Sequence, residues 1–283
     1  DEIELFDTRL AFIHSEEILE LLSLFQSDHV LYREIERDST EMFHETNDKT
    51  AGYFKKSIGL RDSINDVILT SPLISGCNPC YQNIPENYRN YQDYEIINLS
   101  KLSDEFLPNT LYKLTNKHYE YNDSINYYRN ARRRMVFPMA ERTLSTAIIP
   151  PGVKHVNGII SLKFSDYKHL IDFTGITNSI IYDFFVKILN KNSIYEETID
   201  SLPYIQNINW RIRSRTLRLN CLTKDYSRLW ESEFDDKFKN DSFSRYDNKF
   251  SDWNNLSETW NINIPLRNFY ERRQALVELD ALV

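Results

Sequence analysis

Pro150-Pro151-Gly152 stands between two apolar runs, and this arrangement constrains the fold more than any other feature of the chain. Pro at one central position and Gly at the next favour a tight turn. Residues 143–149 (TLSTAII) and 156–164 (VNGIISLKF) have the apolar, β-branched character of strands. Positive charge concentrates in the same stretch. Between Tyr127 and Phe164, Arg129, Arg132, Arg133, Arg134, Arg142, Lys154 and Lys163 accompany a single acid, Glu141, whereas the whole chain carries a formal charge of -8. Charge gathered against the chain's own average points to an anionic partner. The competing explanation is solvated faces and ordinary ion pairs. Arg211, Arg213, Arg215 and Arg218 repeat the pattern with no acid between them.

At 283 residues the chain suffices for one large domain or two ordinary ones, and 41% hydrophobic residues suffice for a core. Glycine is scarce: six residues, at 52, 59, 76, 152, 158 and 175, form neither a GxG nor a GxxxxGK pattern. No glycine loop is available to cradle a phosphate or dinucleotide, which removes most nucleotide-dependent enzyme classes. Eighteen Tyr and sixteen Phe suit a polar-aromatic binding surface, although a low-GC coding bias gives the same composition. Cys77, Cys80 and Cys221 suggest no disulfide framework and fit a reducing, cytoplasmic setting. No apolar run is long enough to span a bilayer, and no signal peptide is visible. The chain starts with Asp and stops inside an apolar-periodic run, ALVELDALV, so it is expected to be a piece of a longer polypeptide.

Helices are expected at residues 15–25, 179–190 and 214–231, and from residue 266 onward. Ser15 can cap the first, and Glu16 and Glu17 suit its N-terminal dipole. Helical spacing places Ile180, Ile181, Phe184, Phe185, Ile188 and Leu189 on one face of the second. It aligns Leu222, Tyr226, Leu229 and Trp230 in the third, and Phe269, Leu276, Leu279 and Val283 in the last. Residues 35–60 and 114–126 are polar and weakly patterned, 62–70 return to a buried pattern, 71–95 suggest a long loop, and 232–260 suggest a linker or extended loop.

Motifs with chemistry of their own are weak. Asn78-Pro79-Cys80-Tyr81 differs from the NPPY motif of amino-methyltransferases at Cys80, and no methyl-donor loop precedes it. Cys77 and Cys80 form a lone CxxC, whereas a structural zinc site needs four ligands. His155, after the proline turn, reads more readily as structural than catalytic.

The run from Tyr127 to Phe164 resembles a block in the C-terminal half of large bacterial adenine-N6 DNA methyltransferases. These include fused type IIG restriction–modification enzymes and related methylases of the BREX and DISARM phage-defence systems. Three further pieces are similar in the same order: residues 97–112 (INLSKLSDEFLPNTLY), 178–204 (NSIIYDFFVKILNKNSIYEETIDSLPY), and the helical tails 213–231 and 267–283. Residues 32–43 extend the resemblance. Asn109 departs from the basic residue expected in that block, and the catalytic domain is absent.

The resemblance implies sequence-specific recognition of duplex DNA, with no methylation by this chain alone. It implies no cofactor here, S-adenosylmethionine in the parent enzyme, and the methyltransferase domain of the same polypeptide as partner, with or without a fused endonuclease. Arg129, Arg132, Arg133, Arg134 and Lys154 would meet phosphates or bases, since the planar guanidinium suits both. Arg142 and Thr143 would join them, or Arg142 would pair with Glu141. His155, Asn157 and Lys163 flank or follow the turn, and Arg211, Arg213, Arg215 and Arg218 would track the backbone. Arg272 and Arg273 are expected in ion pairs. The alternative is a protein-interaction module of a defence complex that touches no DNA. The expected fold is α+β, with a mixed, twisted sheet around residues 96–175 flanked by helices and followed by a helical C-terminal part. Its expected divisions are 1–95, 96–205 (target recognition) and 206–283.

Overall fold

The structure, a computed structural model, describes residues 15–26, 30–135, 142–189, 191–245, 247 and 250–283. The helices among them are α1 (Glu16–Gln26), α2 (Asn47–Thr50), α3 (Tyr167–Thr177), α4 (Ile180–Ile188), α5 (Glu196–Asp200), α6 (Trp210–Asn220), α7 (Ser227–Glu233) and α8 (Phe269–Leu282). The strands are β1 (Arg37–Thr40), β2 (Phe54–Gly59), β3 (Ile68–Leu69), β4 (Gln82–Asn83), β5 (Glu95–Ile96), β6 (Thr110–Leu114), β7 (Arg129–Arg133), β8 (Thr146–Ile149), β9 (Lys154–His155) and β10 (Ile159–Phe164). The fold is α+β. None of the described helices is long and apolar enough to cross a membrane.

One antiparallel sheet, in the order β1-β10-β7-β8, organises the molecule. Side chains alternate across it, and both faces are covered. Ile148, Leu162 and Phe164 pack with helices α3, α4, α6 and α8 in one core. Ala131, Ala147, Ile149 and Ile159 pack in a second core with Phe54, Val67, Ile68, Leu111 and Tyr112 from a smaller β layer. That layer contains the antiparallel pair β2–β6 and the parallel pair β3–β9. A sheet buried on both sides needs near-continuous burial along its strands, and β8 is buried at every position.

The Pro150-Pro151-Gly152 turn forms as expected. Gly152 adopts φ +84°, and a Cβ there would meet the Asn65 side chain at 1.9 Å. Strand β8 begins at Thr146, three residues later than the apolar run suggests, because the backbone N–H groups of Thr143 and Leu144 are held by the Asp183 carboxylate. The expected helix at 214–231 is two helices. Its break falls at residues 221–223, where Trp260 Nε1 donates to the Cys221 carbonyl and Arg267 to the Leu222 carbonyl. Residues 232–260 are no linker: Phe238, Trp253 and Leu256 are buried in the helical core. Residues 71–95 include the short strand pair β4–β5, and residues 35–60 supply β1, α2 and β2. The segment before residue 96 thus contributes strands to the same sheets as the segment after it. Phe269 is 75% exposed and lies off the buried face of α8.

Helix α3 lies against α6 at Gly175. A Cβ added there would stand 2.4 Å from Thr216 Oγ1 and 2.7 Å from Ile212 Cγ2. Gly175→Val is expected to lower the unfolding free energy by roughly 2 kcal/mol or more, the range for overpacking a tight contact, as read by urea denaturation. An unchanged midpoint would mean that the two helices separate freely.

Candidate nucleic-acid interface

The arginine-rich block is interior. Strand β7 lies between β10 and β8, and its period of two sends alternate arginines into opposite layers. Arg129 turns to the small β layer and donates to the Val153 carbonyl and the Ser161 hydroxyl. Arg132 turns to the helices and donates to the Ile194 carbonyl and to Glu196. Both are fully buried, and loss of water lowers each guanidinium pKa to about 10, still charged at neutral pH. Half-buried Arg133 donates to the Ile74 carbonyl at 2.8 Å and lies over Tyr81. Arg134 sits 3.8 Å from Glu41, with its guanidinium over Tyr195.

The remaining expected contacts are also engaged with protein. Lys154 donates to the Asn65 and Gly152 carbonyls. Arg142 pairs with Asp280 at 2.7 Å, and Glu141 lies outside the described residues. Lys163 pairs with Asp38 across the edge strand β1. Asn157, half-exposed, accepts from the Glu45 N–H through Oδ1. Arg213 binds Asp172 through two 2.7 Å hydrogen bonds. Arg215 bridges Asp241 and Glu278, and Arg218 donates to the Ile264 carbonyl over the Trp253 ring. Arg211 is exposed, 3.5 Å from Asp241. Arg272, expected in an ion pair, instead donates to the carbonyls of Leu219, Leu266 and Cys77. Arg129, Arg132, Thr143, Lys154, His155, Arg215 and Arg218, expected at phosphates or bases, are all buried in this fold, and the side chains of all but Thr143 are engaged with other parts of the protein.

His155 illustrates the point. It is wholly buried, Nε2 lies 2.8 Å from Ser161 Oγ, and burial beside the Arg129 charge lowers its pKa to about 3. The unfolded chain, with an imidazole near 6.5, binds a proton through the window from about 6.5 to 3 that the folded chain does not. Stability therefore falls as pH falls through that window, by about 1.4 kcal/mol per unit from this group. His155→Gln is expected to remove that slope from urea denaturation series at pH 7, 6 and 5. An unchanged slope would contradict the assignment.

Cys77 and Cys80 are buried, and burial raises both thiol pKa values to about 12. The described residues contain no group of three or more His, Cys, Asp or Glu placed to hold a metal. Asn78 accepts the Cys80 N–H, and Asn109 donates to the Ile84 carbonyl, so both are engaged within the fold.

A cationic surface lies instead on the small β layer. Lys55 of β2 stands directly opposite Lys113 of β6, and both are exposed. Like charges directly across an antiparallel pair are destabilising. Lys56, on the next position of β2, lies 5.9 Å from the Tyr88 ring centroid. Lys117, just beyond β6, lies 4.3 Å from the Tyr53 ring centroid and donates to the Ala51 carbonyl. Exposed Lys49 is in α2, immediately before β2. The lysines that form ion pairs among the described residues are Lys163, Lys187, Lys224 and Lys239, none of this group. Lys55 and Lys113 thus share the outer face of the β2–β6 pair, with Lys117 over Tyr53 beside them, whereas Lys56 is exposed on the opposite face, which Phe54 and Tyr112 anchor to the core. Exposed ammonium groups beside aromatic rings have the chemistry that suits polyanions. Sequence reading missed this surface because the β2–β6 pairing joins lysines from distant, weakly patterned segments. The available signal was the lysine-rich alternation in YFKKSIG and TLYKLTNK.

No protein-family model matches the sequence, and a search of curated proteins finds no significant match.

Proposed function

We propose that this chain recognises duplex DNA in a sequence-specific way as the target-recognition part of an adenine-N6 DNA methyltransferase, in a restriction–modification or phage-defence setting. Its partners are then double-stranded DNA and the methyltransferase domain of the parent polypeptide, which binds S-adenosylmethionine. The observation that carries this reading is the Lys55–Lys113 like-charge pair on the exposed face of the β2–β6 strands, with Lys117 just beyond it, on a chain of formal charge -8. The face has the charge and aromatic content that phosphate contact requires. The ordered resemblance of residues 97–112, 127–164, 178–204, 213–231 and 267–283 to methyltransferase blocks narrows the class. The arginines central to that resemblance then form the scaffold, and the lysines meet the backbone. Binding of the chain to random duplex DNA across a salt series tests the reading. The expected result is affinity that falls linearly in a log–log plot as counterions are released, with a slope near -0.9 per phosphate contact. No binding at low salt would contradict it.

A second reading, a protein-interaction module, is favoured by the outer face of α8, where Phe269, Tyr270 and Val277 are 75%, 72% and 49% exposed. It predicts no salt-dependent binding to DNA.

A further inference from the structure

We propose that residues Arg89–Gln92, at the tip of the loop closed by β4 and β5, are the base-reading element that accompanies the lysine face. The inference rests on the DNA-recognition reading above and assigns where sequence would be read.

Three observations converge on this tip. First, it is exposed and carries base-recognition chemistry. Tyr91 is 74% exposed, and Arg89, Asn90 and Gln92 are all exposed. Arg bonds guanine in bidentate fashion, Asn and Gln bond adenine, and an aromatic ring stacks on or wedges between bases. A solvent-exposed tyrosine of this size makes no contribution to either core.

Second, the tip is held in shape by the Asp93 and Asn90 side chains, which accept its backbone N–H groups. The Asp93 carboxylate accepts the N–H groups of Arg89 at 2.7 Å and Asn90 at 3.0 Å, and Asn90 Oδ1 accepts the Gln92 N–H at 2.9 Å. The β4–β5 pairing of Gln82 with Ile96 and Asn83 with Glu95 closes the base of the loop. Beneath the tip, the Tyr88 and Tyr94 rings meet edge-on at 5.3 Å, and Tyr94 is hydrogen-bonded to Thr70. Pre-organised side chains lose less entropy on binding.

Third, the loop adjoins the cationic surface. Lys56 of β2 lies over Tyr88, directly before Arg89, and Asn109 at the start of β6 is hydrogen-bonded to Asn83 and Ile84. Lys56 faces away from the Lys55–Lys113 pair, so the tip adjoins the lysine-rich strand pair at its Lys56 side, and a duplex that reaches Lys56 would pass this tip.

Charge separates the two roles. Exposed Glu86 and Glu95 flank the tip, so the loop adds no net attraction for phosphate. Its contribution is discrimination, while the lysines supply affinity, the division of labour between base and backbone contacts in DNA recognition.

The test is selection by this chain from a randomised duplex library. Wild type is compared with the triple variant Arg89→Ala/Tyr91→Ala/Gln92→Ala, followed by titration of the selected and scrambled duplexes over a salt series. The expected result is that wild type enriches one motif. The triple variant should lose roughly tenfold to hundredfold of that preference while keeping its affinity for scrambled duplex and its salt slope. All three side chains are exposed, so a preserved thermal transition confirms folding. Enrichment of the same motif with the same preference by the variant overturns the inference and leaves the DNA-binding reading intact. Binding by wild type without any enriched motif also overturns it. Absence of binding by wild type overturns both.

Discussion

Arg215→Ala is expected to cost about 3–5 kcal/mol of unfolding free energy, the range for removing one member of a buried ion-pair network. Arg215 is 2% exposed, between Asp241 at 5% and Glu278 at 6%. It donates to both carboxylates and to the Ser242 carbonyl, and its guanidinium lies 5.2 Å from the Trp253 ring centroid. Removing it leaves Glu278 with neutral donors such as Ser244 and Gln274, and leaves Asp241 with Ser214 and only the exposed Arg211 at 3.5 Å as a charged partner. It also unties α6 from α8 and from residues 241–242. The exposed neighbour Arg211 provides the contrast, since Arg211→Ala should cost under about 1 kcal/mol. Urea denaturation of both variants reads the difference directly. Equal small effects would mean that the α6 arginines are solvated surface charges. That result would reopen the view of them as a DNA-tracking row.

Lys113→Glu is expected to have effects of opposite sign on stability and on binding. The substitution turns a like-charge cross-strand pair with Lys55 into one of opposite charge, which should raise stability by about 0.2–1 kcal/mol. If the proposed DNA reading holds, it also removes one phosphate contact and sets a carboxylate against the duplex. Pairing it with Lys55→Glu is expected to lower duplex affinity roughly hundredfold at low salt and to flatten the salt slope by about 2. A change that helps the fold and harms binding is the signature of a side chain kept for a partner. On an ordinary solvated face, only the gain in stability would appear.

Local chemistry made parts of this architecture legible. The Pro150-Pro151-Gly152 turn, strand β10, helices α1 and α4, and the α+β class all follow from turn chemistry and apolar periodicity within short windows. Long-range pairing was not legible. β1 joins β10 through Arg37 opposite Phe164, so the segment before residue 96 completes the sheet formed by the segment after it. Helix α6 stops where side chains from residues 260 and 267 take up its terminal carbonyls. No local propensity encodes those partners. The aromatic residues Phe238 and Trp253 hid a packed segment because it is poor in the aliphatics that mark burial.

The candidate site follows the same logic. Seven Arg and Lys side chains between Arg129 and Lys163 are conspicuous in one dimension, but β7 is an interior strand, and its charges meet carbonyls and Glu196. Lys55 and Lys113 are inconspicuous in the sequence and become neighbours only through the β2–β6 ladder. Charge density along a chain reports where cations are made, and topology decides whether they face water.

The most direct test of the central claim is a fluorescence titration of duplex DNA with this chain across a salt series, run in parallel with Lys55→Glu/Lys113→Glu. The account predicts tight, steeply salt-dependent binding by wild type, and a roughly hundredfold loss with a shallower slope in a variant whose denaturation midpoint is preserved. Equal binding by the two proteins, or no binding by wild type at low salt, would contradict it.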